Sequence, residues 1–136
     1  MKVLIVEDSL GLVQVYTGII KHIVKKLKPN ETLEVVSVAN NEEYYYFKHM
    51  GFDLAILDWN IIGGTSESII QDAIGKIAYS YFITGYANNK RVRELSKQFN
   101  IPIMSKPSTE LEIIQILERA IEKIYNGITT MVSEKV

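Results

Sequence analysis

Val3-Leu4-Ile5-Val6-Glu7-Asp8-Ser9 is followed by Val13, Tyr16, Ile20, Ile23, Val24 and Leu27. The unbroken apolar run at the start, with no alternation, reads as a strand buried on both faces. The apolar residues after Ser9 recur three or four apart, which is helical spacing. Ser9 suits the N-cap, because its hydroxyl can accept from an N–H of the first turn. Pro29-Asn30 then stops the helix. A strand and a helix in this order make a βα unit.

The unit recurs. Further apolar runs lie at Leu33 to Ala39, Leu54 to Leu57, Tyr81 to Ile83 and Ile101 to Met104. The run at 33–39 alternates in part, which places it nearer an edge. Between the runs, helical spacing returns. Tyr44 and Phe47 mark a second helix that ends near Gly51, and Ile70, Ala73, Ile74 and Ile77 a third. Val92, Leu95 and Phe99 mark a fourth, stopped at Asn100. A fifth starts near Ser108 and turns Leu111, Ile114, Leu117, Ile121 and Ile124 inward. Residues 1–126 form the expected domain. The tail 127–136, after Asn126-Gly127, has no clear period and is expected to fray. Buried strands joined by helical crossovers predict an α/β fold, a doubly wound parallel sheet with helices on both faces. Five βα units suit the flavodoxin-like strand order 2-1-3-4-5.

Composition narrows the function classes. The chain has 136 residues, 47% hydrophobic and 23% charged, as a single globular domain would. It has no cysteine, which removes disulfide scaffolds, zinc–cysteine sites and thiol catalysis. No run approaches the ~20 apolar residues of a membrane span. The apolar start meets Glu7-Asp8 too soon for a signal-peptide core, so the cytoplasm is the expected compartment. A net charge of −1 gives no nucleic-acid footprint, and the lysines at 21, 25, 26 and 28 read as a solvated helix face.

In an open parallel sheet the site lies at the carboxyl ends of the strands. Strand by strand, those ends carry Glu7-Asp8, then Asp58, then Thr84-Gly85, then Ser105-Lys106-Pro107. In order 2-1-3-4-5 they converge. Carboxylates gathered together repel, and a divalent cation resolves the conflict. Magnesium takes oxygen ligands and keeps several waters, so one to three carboxylates suffice. A facing lysine can pair a carboxylate or a phosphoryl oxygen, and a threonine hydroxyl can donate to the latter. These are the parts phosphoryl transfer uses, with an aspartate available as nucleophile.

With Glu7-Asp8, Asp58 after Leu-Ala-Ile-Leu, Thr84 before a small residue, and Lys106-Pro107, the chain resembles the receiver domain of two-component response regulators over about residues 1–125. The resemblance implies that Asp58 is the phosphoacceptor. It implies that Glu7, Asp8, Asp58 and the backbone carbonyl of Asn60 hold Mg2+ (or Mn2+). Lys106 and Thr84 then stabilise the phosphoryl group and carry the switch, while Asn60 and Tyr86 tune its lifetime. Pro107 is expected after a cis bond. The donor would be a sensor histidine kinase or phosphotransfer protein. The output would be a protein contact through the fifth strand and helices four and five, around Lys90, Arg91, Ile103 and Glu112, with no direct nucleic-acid binding. Such a domain assists its own phosphotransfer and dephosphorylation but is not a turnover enzyme on external substrates. The chain could also be part of a longer protein.

Three positions depart from the receiver pattern. Ile103 stands where an aromatic usually swings inward. Ile62, followed by Gly63-Gly64, replaces a proline, which predicts a more mobile loop. Ser66 replaces a glycine. The Ile103 departure motivates the alternative of a receiver-fold interaction module that works without phosphate. A phosphohydrolase reading fails because Glu7-Asp8-Ser9 is not Asp-x-Asp. A flavin reading fails because the first loop lacks a Ser/Thr cluster. Tyr44 and Phe47 are expected to pack inward with Tyr45 and Tyr46 at the surface. His22 and His49 are expected at the surface, and Trp59 partly exposed.

Overall fold

The computed structural model describes residues 1–134, with side chains described as far as Gly127. In chain order the elements are β1 (Lys2–Val6), α1 (Leu10–Leu27), β2 (Glu34–Val38), α2 (Asn41–Phe47), a single 3₁₀ turn (Lys48–Met50) and β3 (Leu54–Leu57). They continue with β4 (Asn60–Ile61), β5 (Gly64–Thr65), α3 (Glu67–Ala73), β6 (Tyr79–Thr84), α4 (Lys90–Phe99), β7 (Ile103–Ser105) and α5 (Glu110–Glu134). The main sheet has the order β2-β1-β3-β6-β7, and every pairing in it is parallel. Numbered by its five main strands this is 2-1-3-4-5, the order the sequence predicts. The partly alternating run became β2, an edge strand.

The pleat divides the core in two. Leu4, Val6, Ala55, Leu57 and Phe82 face a layer built from α2, α3 and α4, including Tyr44, Ile70, Val92 and Leu95. Val3, Ile5, Leu54, Ile56 and Ile83 face α1 and α5, including Tyr16, Ile20, Leu117 and Ile121. Period-2 alternation in β1 and β3 therefore fills both layers, which is why their sequences are apolar throughout. Each buried Val, Leu, Ile or Phe among them contributes about 1.5–3 kcal/mol over leaving it exposed. A charge at Ile56 would break one of these layers.

Helix ends follow their caps. Ser9 Oγ accepts from the Leu12 N–H at 3.3 Å, and Asn40 Oδ1 from the Glu43 N–H at 2.8 Å. Asn89 Oδ1 accepts from both Arg91 and Val92. Asn100 ends α4 in the left-handed region at φ 57°, a conformation asparagine tolerates better than most residues.

The structure corrects two sequence readings. Leu111 was expected inward but is 63% exposed, and Ile113 takes the buried position. Trp59 was expected partly exposed but lies in the core. The loop after Asp58, for which Ile62-Gly63-Gly64 predicts more mobility, folds as a β-hairpin of β4 and β5, with Ile61 buried and the Ile62 N–H on the Ala39 carbonyl at 3.1 Å. Its turn uses Gly63 at φ 86°, which costs glycine little. Helix α5 runs through Asn126-Gly127 to Glu134. The fraying expected of residues 127–136 falls, from residue 128 on, on side chains outside the described residues. Tyr44 and Phe47 do turn inward, and Tyr46 is exposed.

Candidate phosphoacceptor site

Parallel pairing extends one residue past the strands and fixes the backbone of the site. The Glu7 N–H donates to the Val38 carbonyl at 3.0 Å, the Asp58 N–H to Val6 at 2.9 Å, and the Lys106 N–H to Thr84 at 3.0 Å. These three side chains therefore leave the sheet at one end, beside the switch in strand order.

There they meet. Lys106 Nζ donates to Glu7 Oε1 at 2.5 Å and to Asp58 Oδ2 at 3.0 Å. The other oxygen of Glu7 accepts the Ser9 N–H at 3.1 Å, and Asp58 Oδ1 accepts the Trp59 N–H at 2.8 Å. Glu7 and Asp58 are buried, while Asp8 stands at the solvent edge of the cluster. Ligand oxygens of Glu7, Asp8 and Asp58 all lie within 4.8 Å of one another. A set of hard oxygen donors with one side open to solvent fits magnesium or manganese.

Burial pushes the Glu7 carboxyl above the usual carboxylate range, although Lys106 and the Ser9 N–H pull it back. Burial alone would lower the Lys106 ammonium, but its bonds to Glu7 and Asp58 outweigh that and raise it. Lys106 is thus a fixed cation at neutral pH. Beside it, burial pushes the Tyr16 hydroxyl up to about 12, so that tyrosine stays neutral.

The remaining expected residues are arranged less directly. Thr84 ends β6 fully buried, with its Oγ1 accepting the Tyr86 N–H at 3.1 Å. Among the described residues, no hydrogen bond joins that hydroxyl to a carboxylate of the cluster. Tyr86 is half exposed, and Asn60 is exposed at the start of the hairpin. The Lys106-Pro107 bond is cis. Of the expected output residues, Lys90 and Glu112 are exposed and Ile103 is half-buried. Arg91 is not free: it pairs with Glu67 at 2.7 Å and Glu94 at 3.2 Å.

Sequence reasoning missed the part played by Ser66. It is completely buried, and its Oγ donates to the Asp58 carbonyl at 2.6 Å while its N–H donates to the Trp59 carbonyl at 2.8 Å. It thus clamps the backbone of Asp58 from the far side of the hairpin. The signal was present as a hydroxyl standing where the receiver pattern has glycine.

No protein-family model and no curated protein matches the sequence. Solved structures do match it across nearly its whole length. The response regulatory domain of mrkE from Klebsiella pneumoniae is 23% identical with a TM-score of 0.71, covering 93% of this chain and 99% of that one. A CheY-like response regulator receiver domain from Methanospirillum hungatei is 15% identical with a TM-score of 0.71, covering 93% and 97%. The non-phosphorylated HemR receiver domain from Leptospira biflexa is 22% identical with a TM-score of 0.64, covering 88% and 93%. The chain has the receiver fold. Within that fold Glu7, Asp8 and Asp58 form an acidic cluster like a phosphoacceptor site. No described helix is long and apolar enough to cross a membrane.

Proposed function

We propose that the protein is a response regulator receiver that accepts a phosphoryl group on Asp58 from a histidine kinase or phosphotransfer protein. The observation that carries this reading is Lys106 bridging Glu7 and Asp58 at the carboxyl end of the sheet, with Asp8 alongside. An Asp58 carboxylate oxygen attacks phosphorus, the bond from phosphorus to the donor's imidazole nitrogen breaks, and that nitrogen keeps the electron pair and is protonated. Glu7, Asp8, Asp58 and the Asn60 carbonyl would hold Mg2+ or Mn2+, which when bound neutralises the phosphoryl oxygens. Lys106 can exchange its contact with Asp58 Oδ2 for a phosphoryl oxygen while Glu7 keeps it oriented. The Trp59 N–H and Ser66 hold the Asp58 side chain and backbone in place. Thr84 would turn its hydroxyl to the phosphoryl group, giving up its bond to Tyr86. The domain then acts through protein contacts rather than turnover of external substrates, and the cytoplasm is the expected compartment.

The test is intact mass after incubation with magnesium and a small-molecule phosphodonor. A gain of one phosphoryl mass, absent in Asp58→Asn, is expected. No gain in a folded, magnesium-binding protein would favour the phosphate-independent module, the reading that Ile103 at the position of the usual aromatic supports. Tyr86 tunes the lifetime by shielding the phosphoryl group from water. Tyr86→Ala is expected to dephosphorylate faster, and an unchanged decay rate would remove that role.

A further inference from the structure

The main sheet has two edges, and the chain treats them differently. β7 is three residues long and is flanked by Pro102 and Pro107. Shortness and proline both blunt an edge against further pairing. β2 is five residues long, Glu34-Val35-Val36-Ser37-Val38, with no proline and no lysine. It pairs with β1 residue for residue, without a bulge. The Glu34 N–H donates to the Met1 carbonyl, and the Val38 carbonyl accepts from the Glu7 N–H, both at 3.0 Å. Backbone groups alternate in direction along a strand, so Glu34, Val36 and Val38 face β1. Val35 and Ser37 turn both N–H and C=O the other way. Among the described residues no strand pairs with that outer side. Ser37 is exposed and Val35 and Val36 are half-buried, so the edge is open to solvent.

We propose that this edge pairs with β2 of a second copy of the chain, antiparallel, about a two-fold axis through Val36. Symmetry fixes the register. Val36 meets Val36, Val35 meets Ser37, and Glu34 meets Val38. The Val35–Ser37 pair occurs twice, and both of its residues present outward groups, so each pair closes two backbone hydrogen bonds. A shift of two residues either way would set Ser37 against Leu33, or Val35 against Ala39, both outside the strand. The symmetric register alone uses every outward group of β2, which favours a second copy over a foreign strand. No like charges lie directly opposite, because Glu34 faces an apolar residue. Helix α2 packs beside the edge, against β2. Its Phe47 shares a core cluster with Val36, and Tyr46, 81% exposed, stands edge-on to Phe47 with ring centres 5.0 Å apart. A two-fold perpendicular to the sheet puts both α2 helices on one face of the joined sheet, one on each side of the axis. Their acidic first turns, with Glu42 and Glu43, follow Val38 and so lie toward opposite ends of the paired strands. The pairing rests on the fold and is independent of the phosphoacceptor reading.

The chain has no cysteine, so an introduced one reports the register without competition. In the dimer the Val36 pair is a non-hydrogen-bonded one, with Cα atoms about 4.5 Å apart, inside the range a disulfide spans. The two Glu34 residues are four positions apart along the strands, about 14 Å, which is beyond it. Sedimentation of the full wild-type chain is expected to show a monomer–dimer equilibrium that moves with protein concentration. Val36→Cys should form a disulfide-linked dimer under mild oxidation, and Glu34→Cys should not. Ser37→Pro removes an outward N–H and leaves the β1 ladder intact. Its dimer should dissociate at least about tenfold more readily. Ser37→Lys, which sets a charge on the open edge, serves if the proline variant does not melt cooperatively. A wild type that stays monomeric up to millimolar concentration would overturn the proposal. So would a dimer that Glu34→Cys traps as well as Val36→Cys, or one that the folded Ser37 variant leaves unchanged, since another face would then hold it. Slow amide exchange at Val35 and Ser37 in dilute, monomeric protein would do the same, because the edge would already be covered.

Discussion

Lys106 holds two carboxylates at once, and Glu7 is almost wholly buried beside it. Lys106→Met leaves Glu7 desolvated next to Asp58 with no cation. The loss is expected to be about 1–3 kcal/mol in urea denaturation at pH 7. The sign of its pH dependence follows from Glu7, whose carboxyl is already raised by burial and rises further without the lysine. A group raised in the folded state favours folding when protonated. The gap between wild type and variant should therefore narrow as pH falls through and below the carboxylate range. A gap that widens in acid would show that Glu7 is not the group left stranded. Ser66 acts by a neutral bond. Ser66→Ala removes the donor to the Asp58 carbonyl and should cost about 1 kcal/mol with little pH dependence. Glu7, Asp58 and Lys106 were legible because each ends an apolar run. Ser66 was not, because its partner lies across a hairpin that no local pattern announces.

At the scale of elements, α2 and α3 are tied by the Tyr44 hydroxyl donating to Asp72 at 2.6 Å. That bond, with help from Lys76 and Lys48, holds the Asp72 carboxyl below its ordinary value. Burial and the same aspartate push Tyr44 upward, so the tyrosine is the donor at all ordinary pH. Tyr44→Phe should destabilise by about 1 kcal/mol at pH 7. A carboxyl depressed in the folded state gives stability above its unfolded value and loses it as pH falls through the folded value. The difference between Tyr44→Phe and wild type should therefore close in acid, opposite to no effect and parallel in direction to Lys106→Met. Denaturation curves at neutral and acid pH check this. The inward turn of Tyr44 was readable from its spacing with Phe47. The phase of α5 was not. Leu111, Ile113, Ile114, Ile116 and Leu117 offer two overlapping apolar stripes. Packing against α1 and the sheet selects the one containing Ile113, and leaves Leu111 in solvent at the helix start.

At the scale of the whole molecule, a divalent cation held by Glu7, Asp8 and Asp58 would join the ends of β1 and β3, and Lys106 would add β7. Binding to the folded state alone stabilises it, by about 1.4 kcal/mol at ten times the dissociation constant. Magnesium should raise the melting temperature of the wild type and do so much less in Asp8→Asn. Trp59 gives an independent signal, since its N–H is bound to Asp58 while its ring lies in the core. An equal thermal shift in Asp8→Asn would place the ion elsewhere.

The sequence by itself determined the βα order, the parallel sheet and the residues at the strand ends. Those depend on period and on adjacency along the chain, which local patterns record. Tertiary structure decided the rest: the hairpin that carries Ile61 inward, the burial of Trp59, the Ser66 clamp and the choice of Ile113 over Leu111 as the buried position of α5. Each depends on which surface arrives opposite a residue, and hydrogen bonding and desolvation are settled only once that surface is in place.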